Sequence, residues 1–291
     1  MPKTWFITGA SRGLGAAIAK AAMRAGDQIV AASRKRSVIA EKLGPDTDSL
    51  LSVQLDVTDA VQAHAAVGAA VHRFGGIDVL VNNAGYGHMG FFEEMTIKDA
   101  QEQFDTNLFG VFRVTWATLP FMRSARKGRI FNVSSIGGFV GGQMASLYCA
   151  SKFALEGFSE SLAKEVSPFG ISVTIVEPGP FRTDFLKPES LRFGGKPIAE
   201  YEDSRREIRT SMDERNGRQP GDPEKLAESM VRLANEAKPP LRFFAGAVAV
   251  KVADEKLADM HAEIDSWRQL SINTDGNYDT SKVAGLLRQL T

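Results

Sequence analysis

The sequence is poor in cysteine, balanced in charge and without any long apolar run. It has one cysteine among 291 residues, and its 35 Lys and Arg residues match its 35 Asp and Glu residues. One cysteine excludes an intrachain disulfide and fits a reducing compartment. The balanced charge gives no reason to expect nucleic acid or an anionic membrane as a partner. No apolar run approaches the ~20 residues that cross a bilayer, and the N-terminus lacks a signal-peptide cleavage pattern, so we expect a cytoplasmic protein.

Short apolar runs alternate with helical patterns along most of the chain. The apolar runs predict strands at residues 5–7, 28–32, 50–55, 77–81, 129–133 and 171–176. Helical patterns predict helices at residues 13–25, 64–74, 98–122 and 148–166. This alternation is typical of βαβ units, whose right-handed crossovers place helices on both faces of a parallel sheet. We therefore predict an α/β protein with a doubly wound, Rossmann-like sheet.

The pattern changes after Pro180. Residues 187–218 are charged and rich in glycine and proline, which predicts a mobile excursion that could serve as a substrate lid. Asp222 and Pro223 predict a new helix start, because Asp caps helices well and Pro suits the first turn. An edge strand at 241–245 and an amphipathic helix at 252–270 follow. We expect a single domain over residues 1–291, with its core at about 4–185 and a C-terminal helical extension at about 222–291.

A glycine-rich turn follows the first predicted strand and precedes the first helix. Such a turn lets the backbone approach a ligand closely, and the helix directs its free N–H groups and positive dipole end at the turn. No Gly-Lys-Ser/Thr follows, so the turn is not a P-loop. Its position predicts dinucleotide binding by the residues of the turn. They are Gly9, Ser11, Arg12, Gly13, Leu14 and Gly15.

The end of the second strand points to NADP(H) as the cofactor. An NAD site usually has an acidic residue there for the ribose 2′-hydroxyl, but this strand continues as Ser33, Arg34, Lys35 and Arg36. A carboxylate would repel a 2′-phosphate, whereas a guanidinium group pairs with it in a bidentate way. We predict that Arg34 binds the phosphate, with help from Ser33 and from Arg12 in the turn.

Three polar residues form a candidate catalytic set. Tyr148 and Lys152 are four positions apart on a predicted helix and therefore share a face. A free tyrosine has a pKa near 10, and a neighbouring ammonium is expected to lower that pKa toward neutrality. Tyr148 could then exchange a proton with an alcohol or carbonyl oxygen. Ser135 follows a strand at the carboxyl edge of the sheet, where its hydroxyl could hold the same oxygen.

These segments together resemble the short-chain dehydrogenase/reductase family in its shorter, single-domain form. The resemblance covers about residues 4–185, and its motifs occur in the family's order and spacing. They are residues 8–15, Asp56-Val57, 82–85, Asn107, Ser134-Ser135, Tyr148 to Lys152, Pro178-Gly179 and Thr183. The sequence around Tyr148 also resembles the same segment of family members that act on steroids and retinoids, and of bacterial ketone reductases.

The resemblance implies a role for each of these positions. It implies that Asn107 bends its helix and anchors a water that relays protons to Lys152, and that Lys152 also binds the nicotinamide ribose. It favours Ser135 over Ser134 as the catalytic serine. The resemblance also implies further cofactor contacts. The adenine would contact Asp56 and Val57, the sheet-edge turn that borders the cofactor would be Asn83, Ala84 and Gly85, and the nicotinamide would contact Pro178, Gly179 and Thr183. The family also pairs the helices beginning near residues 98 and 148 across a two-fold axis, which implies a homodimer or homotetramer.

Two other functions share parts of this pattern. A sugar-nucleotide epimerase or dehydratase can share the Tyr-x-x-x-Lys pair, although it usually has a different glycine spacing and a larger C-terminal domain. A non-catalytic NADP-binding sensor or scaffold would have no need for a tuned tyrosine. The predicted function is therefore an NADP(H)-dependent oxidoreductase that interconverts a secondary alcohol and a ketone or aldehyde.

Apolar side chains after the strand ends predict a small, apolar substrate. They are Met89, Phe91, Phe92, Phe139, Met144, Phe181 and Phe185. Cys149 points away from Tyr148 around the helix, which favours a small buried side chain over a nucleophile. The four histidines have no ligand spacing with a cysteine or carboxylate cluster, so no metal site is predicted.

Overall fold

A seven-stranded parallel sheet forms the centre of the protein. The computed structural model describes residues 2–276, and residues 277–291 of the predicted C-terminal extension lie outside this range. The strand order is β3-β2-β1-β4-β6-β7-β9, and every neighbouring pair is parallel. The strands are β1 (Thr4–Thr8), β2 (Gln28–Ser33), β3 (Leu50–Gln54), β4 (Val79–Asn82), β6 (Gly128–Val133), β7 (Ile171–Pro178) and β9 (Arg242–Ala245). Between β1 and β4 the strand order reverses, and this switch point opens a crevice at the carboxyl edge.

Helices cover both faces of the sheet, as predicted. The helices are α1 (Gly13–Arg24), α2 (Arg36–Leu43), α3 (Ala60–Phe74), α4 (Ile97–Phe104), α5 (Gly110–Ala125), α6 (Ser146–Val166), α7 (Glu202–Arg215), α8 (Pro223–Leu233) and α9 (Ala247–Ile272). One apolar core joins the sheet to α1, α2 and α8, and a second joins it to α3, α5 and α6. Neighbouring residues on a strand enter opposite cores because side chains alternate between the faces of a sheet. Trp5 and Ile7 lie in the first core and Phe6 in the second, so the whole run is buried.

Several helix boundaries differ from those predicted. The predicted helix at 98–122 is divided into α4 and α5 by a π-helical segment, Asp105–Phe109. Helix α3 begins at Ala60 rather than at 64, because the Asp59 carboxylate accepts from the backbone N–H groups of Val61 and Gln62. Helix α2 was not predicted; it is short and buries only Ile39.

The segment predicted as a mobile excursion contains secondary structure that the sequence did not predict. It contains β8 (Leu191–Phe193), which pairs in parallel with the unpredicted strand β5 (Gly87–Met89), and it also contains α7. On α7, Arg205 forms a buried ion pair of 2.6 Å with Glu94, which lies after β5. The strand pair and the ion pair join this segment, here called the lid (residues 187–218), to the body.

The C-terminal elements follow the predictions closely. Asp222 caps α8 by accepting from the N–H of Glu224, and Pro223 is the first helical residue. Strand β9 pairs with β7 at the edge of the sheet, and α9 spans the predicted amphipathic helix. Within residues 2–276, no helix is both long and apolar enough to cross a membrane.

Candidate active site

The glycine turn brings its backbone into unusually close contact. Gly9 and Gly13 have φ angles of 65° and 51°, which side chains other than glycine rarely adopt. A Cβ atom on Gly15 would lie 2.4 Å from the carbonyl oxygen of Gly9. Arg12 precedes α1 without a side-chain cap, so the first-turn N–H groups of this helix are not used by a capping side chain. These features fit the pyrophosphate of a dinucleotide.

This close contact makes Gly15 sensitive to substitution. We expect Gly15→Ala to lower the free energy of unfolding by about 1–3 kcal/mol, because the methyl group would overlap backbone. Gly68 is the matched control, since it lies inside α3 with no heavy atom within 4 Å of an added Cβ. Gly68→Ala should stabilise by about 0.5–1 kcal/mol. Urea unfolding measures both changes, and equal changes would contradict the close contact.

Asn83 ties the glycine turn to the end of β4. Its Nδ2 donates to the carbonyl oxygens of Thr8 (2.9 Å) and Gly9 (3.3 Å). The Thr8 hydroxyl in turn accepts from the backbone N–H groups of Asn83 and Ala84. Residues 83–85 therefore lie beside the glycine turn at the switch point, where the sequence placed them.

The basic residues predicted for the cofactor phosphate have different surroundings. Arg34 is exposed at the end of β2. The Arg12 guanidinium donates to the carbonyl oxygen of Glu189 in the lid at 2.7 Å. The Ser33 hydroxyl donates to the carbonyl of Lys35 at 2.8 Å, so it stabilises a local turn in this structure.

The other predicted cofactor residues surround the same crevice. Asp56 follows β3, and its carboxylate accepts from the backbone N–H and the hydroxyl of Thr58. Val57 is buried and lies so close to Gly110 that a Cβ there would approach its methyl group to 2.7 Å. At the end of β7, Pro178 is followed by Gly179, whose N–H donates to Ala245. Thr183 lies across the glycine turn, 3.6 Å from where a Cβ on Gly13 would be.

The predicted catalytic side chains meet at the carboxyl end of β6. Lys152 is buried, its Nζ donates to the carbonyl oxygen of Val133 at 2.8 Å, and the same Nζ lies 5.9 Å from the centre of the Tyr148 ring. Tyr148 and Ser135 both lie against Gly137: a Cβ there would be 3.2 Å from the Tyr148 ring and 3.4 Å from the Ser135 hydroxyl oxygen. The Ser135 hydroxyl also accepts from the N–H of Gly137 at 3.0 Å. The structure thus brings a phenol, a hydroxyl and an ammonium group together at one edge of the sheet.

Asn107 lies in the π-helical segment between α4 and α5. It is 1% exposed. Its Nδ2 donates to the carbonyl oxygen of Tyr86 (3.0 Å) and to the Ser151 hydroxyl, and its Oδ1 accepts from the N–H of Tyr86. A Cβ on Gly85 would lie 3.1 Å from Asn107 Oδ1 and 3.7 Å from Lys152 Nζ. The Asn107 side-chain oxygen and the Lys152 ammonium group therefore both lie next to Gly85.

The comparison with protein families agrees with this geometry. A family model described as short chain dehydrogenase matches residues 3–192, which include all the predicted site residues. The chain belongs to the short-chain dehydrogenase family. It is therefore an oxidoreductase that acts on small molecules, with a fold that binds a nicotinamide dinucleotide.

This dehydrogenase has curated relatives that align over most of its length. It is 38% identical over 274 residues to the oxidoreductase BOA17 of Botryotinia fuckeliana, covering 94% of this chain and 99% of the relative. It is also 38% identical over 247 residues to a 3-ketodihydrosphingosine reductase of Bacteroides thetaiotaomicron, covering 84% of this chain and 88% of that one.

Solved structures share the fold of this dehydrogenase. A short-chain dehydrogenase from Streptomyces avermitilis superposes with a TM-score of 0.86 at 38% identity, covering 95% of this chain and 100% of the other. ElxO with NADP bound has a TM-score of 0.68 at 28% identity, covering 82% and 94%. A family member from Burkholderia phymatum in complex with NAD has a TM-score of 0.77 at 22% identity, covering 90% and 95%, a likeness of fold alone.

The ionisation of Tyr148 differs from the sequence prediction. Burial raises the pKa of Tyr148 to about 12, although the hydrogen bond with Ser135 acts in the opposite direction. Burial also lowers the pKa of Lys152 to about 8, against the effect of the Glu156 charge. The direction of the tyrosine pKa in this arrangement is therefore opposite to the predicted one, because burial of the phenol dominates. A phenol that keeps its proton at neutral pH is suited to act as an acid.

An apolar cluster covers Tyr148. It contains Met89, Phe185, Leu191, Phe193 and Met212, and the Phe185 and Tyr148 ring centres are 5.8 Å apart. Met89 and Phe185 were predicted for the pocket wall, whereas the other three lie in the lid and were missed. Their signal in the sequence is a few apolar residues within a charged segment. Other predicted wall residues lie elsewhere: Phe91 stacks on Tyr201, Phe139 packs on Phe244, Phe181 lies in the first core and Phe92 is exposed.

Proposed function

We propose that this dehydrogenase uses NADP(H) to interconvert a secondary alcohol and a ketone or aldehyde, with Tyr148 as the general acid and base. The observation that carries the proposal is the meeting of Ser135, Tyr148 and Lys152 at the end of β6, on the carboxyl edge of the sheet that also carries the glycine turn. Turnover of a panel of ketones and secondary alcohols, followed by the near-ultraviolet absorbance of NADPH, tests the reaction class.

Each side chain has a role that follows from its surroundings. Bound NADP(H) would supply or accept the hydride at its nicotinamide ring. The Ser135 hydroxyl holds the substrate oxygen and stabilises charge that develops on it. Tyr148 gives its proton to that oxygen during reduction and removes it during oxidation. Lys152 provides a positive charge beside the phenol, and Asn107 positions a water between the lysine and solvent.

The proposed cofactor residues lie around one crevice. The pyrophosphate would lie on Gly9, Ser11, Gly13, Leu14 and Gly15, the adenine on Asp56 and Val57, and the nicotinamide ribose on Lys152. Residues 83–85 border the cofactor, and Pro178, Gly179 and Thr183 line the nicotinamide. The absence of a carboxylate at the end of β2 and the exposed Arg34 support NADP(H) over NAD(H).

Arg34→Ala should separate the two cofactors. Removing its charge-assisted contact with the 2′-phosphate is expected to weaken NADPH binding roughly 10- to 100-fold and to leave NADH binding nearly unchanged. Lys35→Ala is the matched control, because a neighbouring exposed cation without bidentate geometry should matter little. Fluorescence titration of both cofactors measures the effect. Equal losses for NADPH and NADH would assign Arg34 no role in cofactor choice.

The apolar cluster over Tyr148 supports a substrate with an apolar body next to its carbonyl group. The name of the Bacteroides relative, 3-ketodihydrosphingosine reductase, is in keeping with this. A non-catalytic sensor would not need Ser135 and Tyr148 in contact. The epimerase alternative is not favoured, because the family model matches short-chain dehydrogenases.

A homodimer or homotetramer is part of the proposal. Aromatic side chains are exposed on the face formed by α5 and α6, where Trp116 is 67% and Phe109 and Phe153 are each 45% exposed. Phe109, Phe112 and Trp116 pack in a row along this face, and exposed apolar residues grouped in this way favour a protein–protein contact. We expect Trp116→Glu to reduce the molar mass measured by light scattering toward that of a monomer. An unchanged mass would exclude this face as the interface.

A further inference from the structure

A partly buried cluster of charged side chains joins α6 to the edge strands β7 and β9. Arg242 of β9 contacts Glu177 of β7 at 2.7 Å, Glu160 of α6 at 2.5 Å, and Glu156 of α6. Glu177 is completely buried and Glu156 is 4% exposed, whereas Glu160 lies nearer the surface. One guanidinium group therefore faces three carboxyl groups, two of them inside the protein. Buried charges are costly unless they are paired, so the protonation of this cluster matters.

In the part of the chain that the structure describes, each of the two buried carboxyl groups has one oxygen that lacks a donor. The other oxygens, Glu156 Oε2 and Glu177 Oε1, both accept from Arg242 Nη1, which holds the two carboxyl groups side by side. Within residues 2–276, Glu156 Oε1 and Glu177 Oε2 are nevertheless buried oxygens without a donor. Two ionised carboxylates are both acceptors and repel each other. A single proton shared between them supplies the missing donor and leaves the pair with one negative charge.

This pair is connected to the catalytic side chains from two sides. Glu156 is one turn beyond Lys152 on α6 and is the acidic group whose charge raises the pKa of the buried lysine. Glu156 also supports the loop that carries Ser135. A Cβ on Gly138 would lie 2.8 Å from Glu156 Oε1 and 2.6 Å from the hydroxyl oxygen of Ser134.

We propose that Glu156 is a positioning residue for the reaction: held by Arg242 and by a proton shared with Glu177, its carboxylate keeps Lys152 charged and supports the Ser135 loop. This role rests on the proposed function of Lys152. The charged groups that face the pair are Lys152 and Glu160 from α6 and Arg242 from β9. With the shared proton on Glu177, Lys152 and Arg242 balance Glu156 and Glu160.

The ionisation of Glu177 agrees with this assignment. Burial, followed by the charge of Glu156, raises the pKa of Glu177 from 4.5 to about 7. Burial raises the pKa of Glu156 as well, and the Ser134 hydroxyl and then Arg242 act against it. Below about pH 7 we therefore assign the proton of the pair to the completely buried Glu177, which leaves the negative charge on Glu156 beside Lys152.

The pH dependence of the free energy of unfolding tests the shared proton without any measurement of activity. A carboxyl group with a raised pKa in the folded protein contributes stability that is fully present below the unfolded pKa of 4.5 and is lost as the pH rises through about 7. Relative to Glu177→Gln, whose amide has no proton to lose, the native protein should lose free energy of unfolding between pH 4.5 and 7, with a slope of one proton. Parallel pH profiles for the two proteins would overturn the shared proton.

The link to Lys152 is tested by the pH dependence of ketone reduction. Activity should fall on the basic side as Lys152 loses its proton. Glu156→Gln removes the charge but keeps a donor toward Glu177, so it should move this basic limb to lower pH by about one unit. Glu156→Asp, which keeps the charge, should restore the limb to its native position. A lower kcat with an unmoved limb in Glu156→Gln, or equal shifts in the Gln and Asp variants, would refute the positioning role.

The two experiments also separate this inference from the proposed function. Full turnover by Tyr148→Phe would refute the proposed function. The pH dependence of the free energy of unfolding in Glu177→Gln would still decide whether the proton is shared. If Glu156→Gln does not fold, Glu177→Gln provides a second rate profile. It keeps the Glu156 charge and should leave the basic limb in place, so a shift there would count against the assignment.

Discussion

Replacing Tyr148 by phenylalanine should lower kcat for ketone reduction by about 10³-fold or more, while NADPH binding changes by less than a factor of about three. The phenylalanine ring keeps the packing against Phe185 and removes only the hydroxyl that contacts Ser135. Proton transfer loses its donor, whereas the glycine turn remains intact. Stopped-flow turnover and fluorescence titration of NADPH measure the two quantities separately.

Tyr201→Phe is the matched control for Tyr148→Phe. Its hydroxyl bonds to Glu93 at 2.5 Å on the lid surface, away from Ser135 and Lys152. The same chemical change there should leave kcat within about two-fold, since surface substitutions rarely have large effects. Full turnover in Tyr148→Phe, or an equal loss in both variants, would rule out a catalytic role for the phenol.

Arg205→Met should be the most destabilising single change in the lid. Arg205 is 9% exposed, and it joins the 3% exposed Glu94 at 2.6 Å and the carbonyl oxygen of Ile198 at 2.8 Å. Removing the guanidinium group leaves a buried carboxylate without its partner, which costs about 3–5 kcal/mol. We expect a comparable fall in the free energy of unfolding, together with faster hydrogen exchange in α7.

Neighbouring residues supply the controls for this ion pair. Arg206 is 67% exposed and pairs with the exposed Asp203, so Arg206→Met should cost no more than about 1 kcal/mol. The double variant Glu94→Gln with Arg205→Met removes the unpaired charge and should recover part of the loss. If the two arginine variants were equally stable, the buried ion pair would not be what anchors the lid.

The core and the catalytic edge could be predicted from the sequence because they depend on local signals. Trp5-Phe6-Ile7 is apolar throughout since both faces of a parallel sheet are covered. The spacing of the glycines between β1 and α1 indicates a turn whose backbone comes into close contact. Tyr148 and Lys152 share a face of α6 by helical periodicity, and their approach to Ser135 follows from the strand that ends before it.

The parts that were missed depend on contacts between distant segments. Strand β5 has three residues, too few for a periodic pattern, and it exists because it pairs with β8 about 100 residues later. The lid was interpreted as mobile from its charge, but Arg205 uses that charge to bind Glu94.

The ionisation of Tyr148 and of Glu177 was also beyond the sequence. Both pKa values are set mainly by burial, which depends on residues brought together by the fold. The position of the lysine beside Tyr148 follows from the sequence spacing. The effect on the Tyr148 pKa of the apolar side chains of Phe185 and the lid could not be predicted from spacing alone.

Transfer of deuterium from NADPH labelled at C4 of the nicotinamide tests the proposed function most directly. The native protein should convert an apolar ketone into an alcohol that carries the label on its carbinol carbon, and Tyr148→Phe should form this product at least about 10³-fold more slowly. An alcohol without the label, or a protein that binds NADPH but transfers no label to any ketone or aldehyde of the panel, would contradict the assignment as an NADP(H)-dependent oxidoreductase.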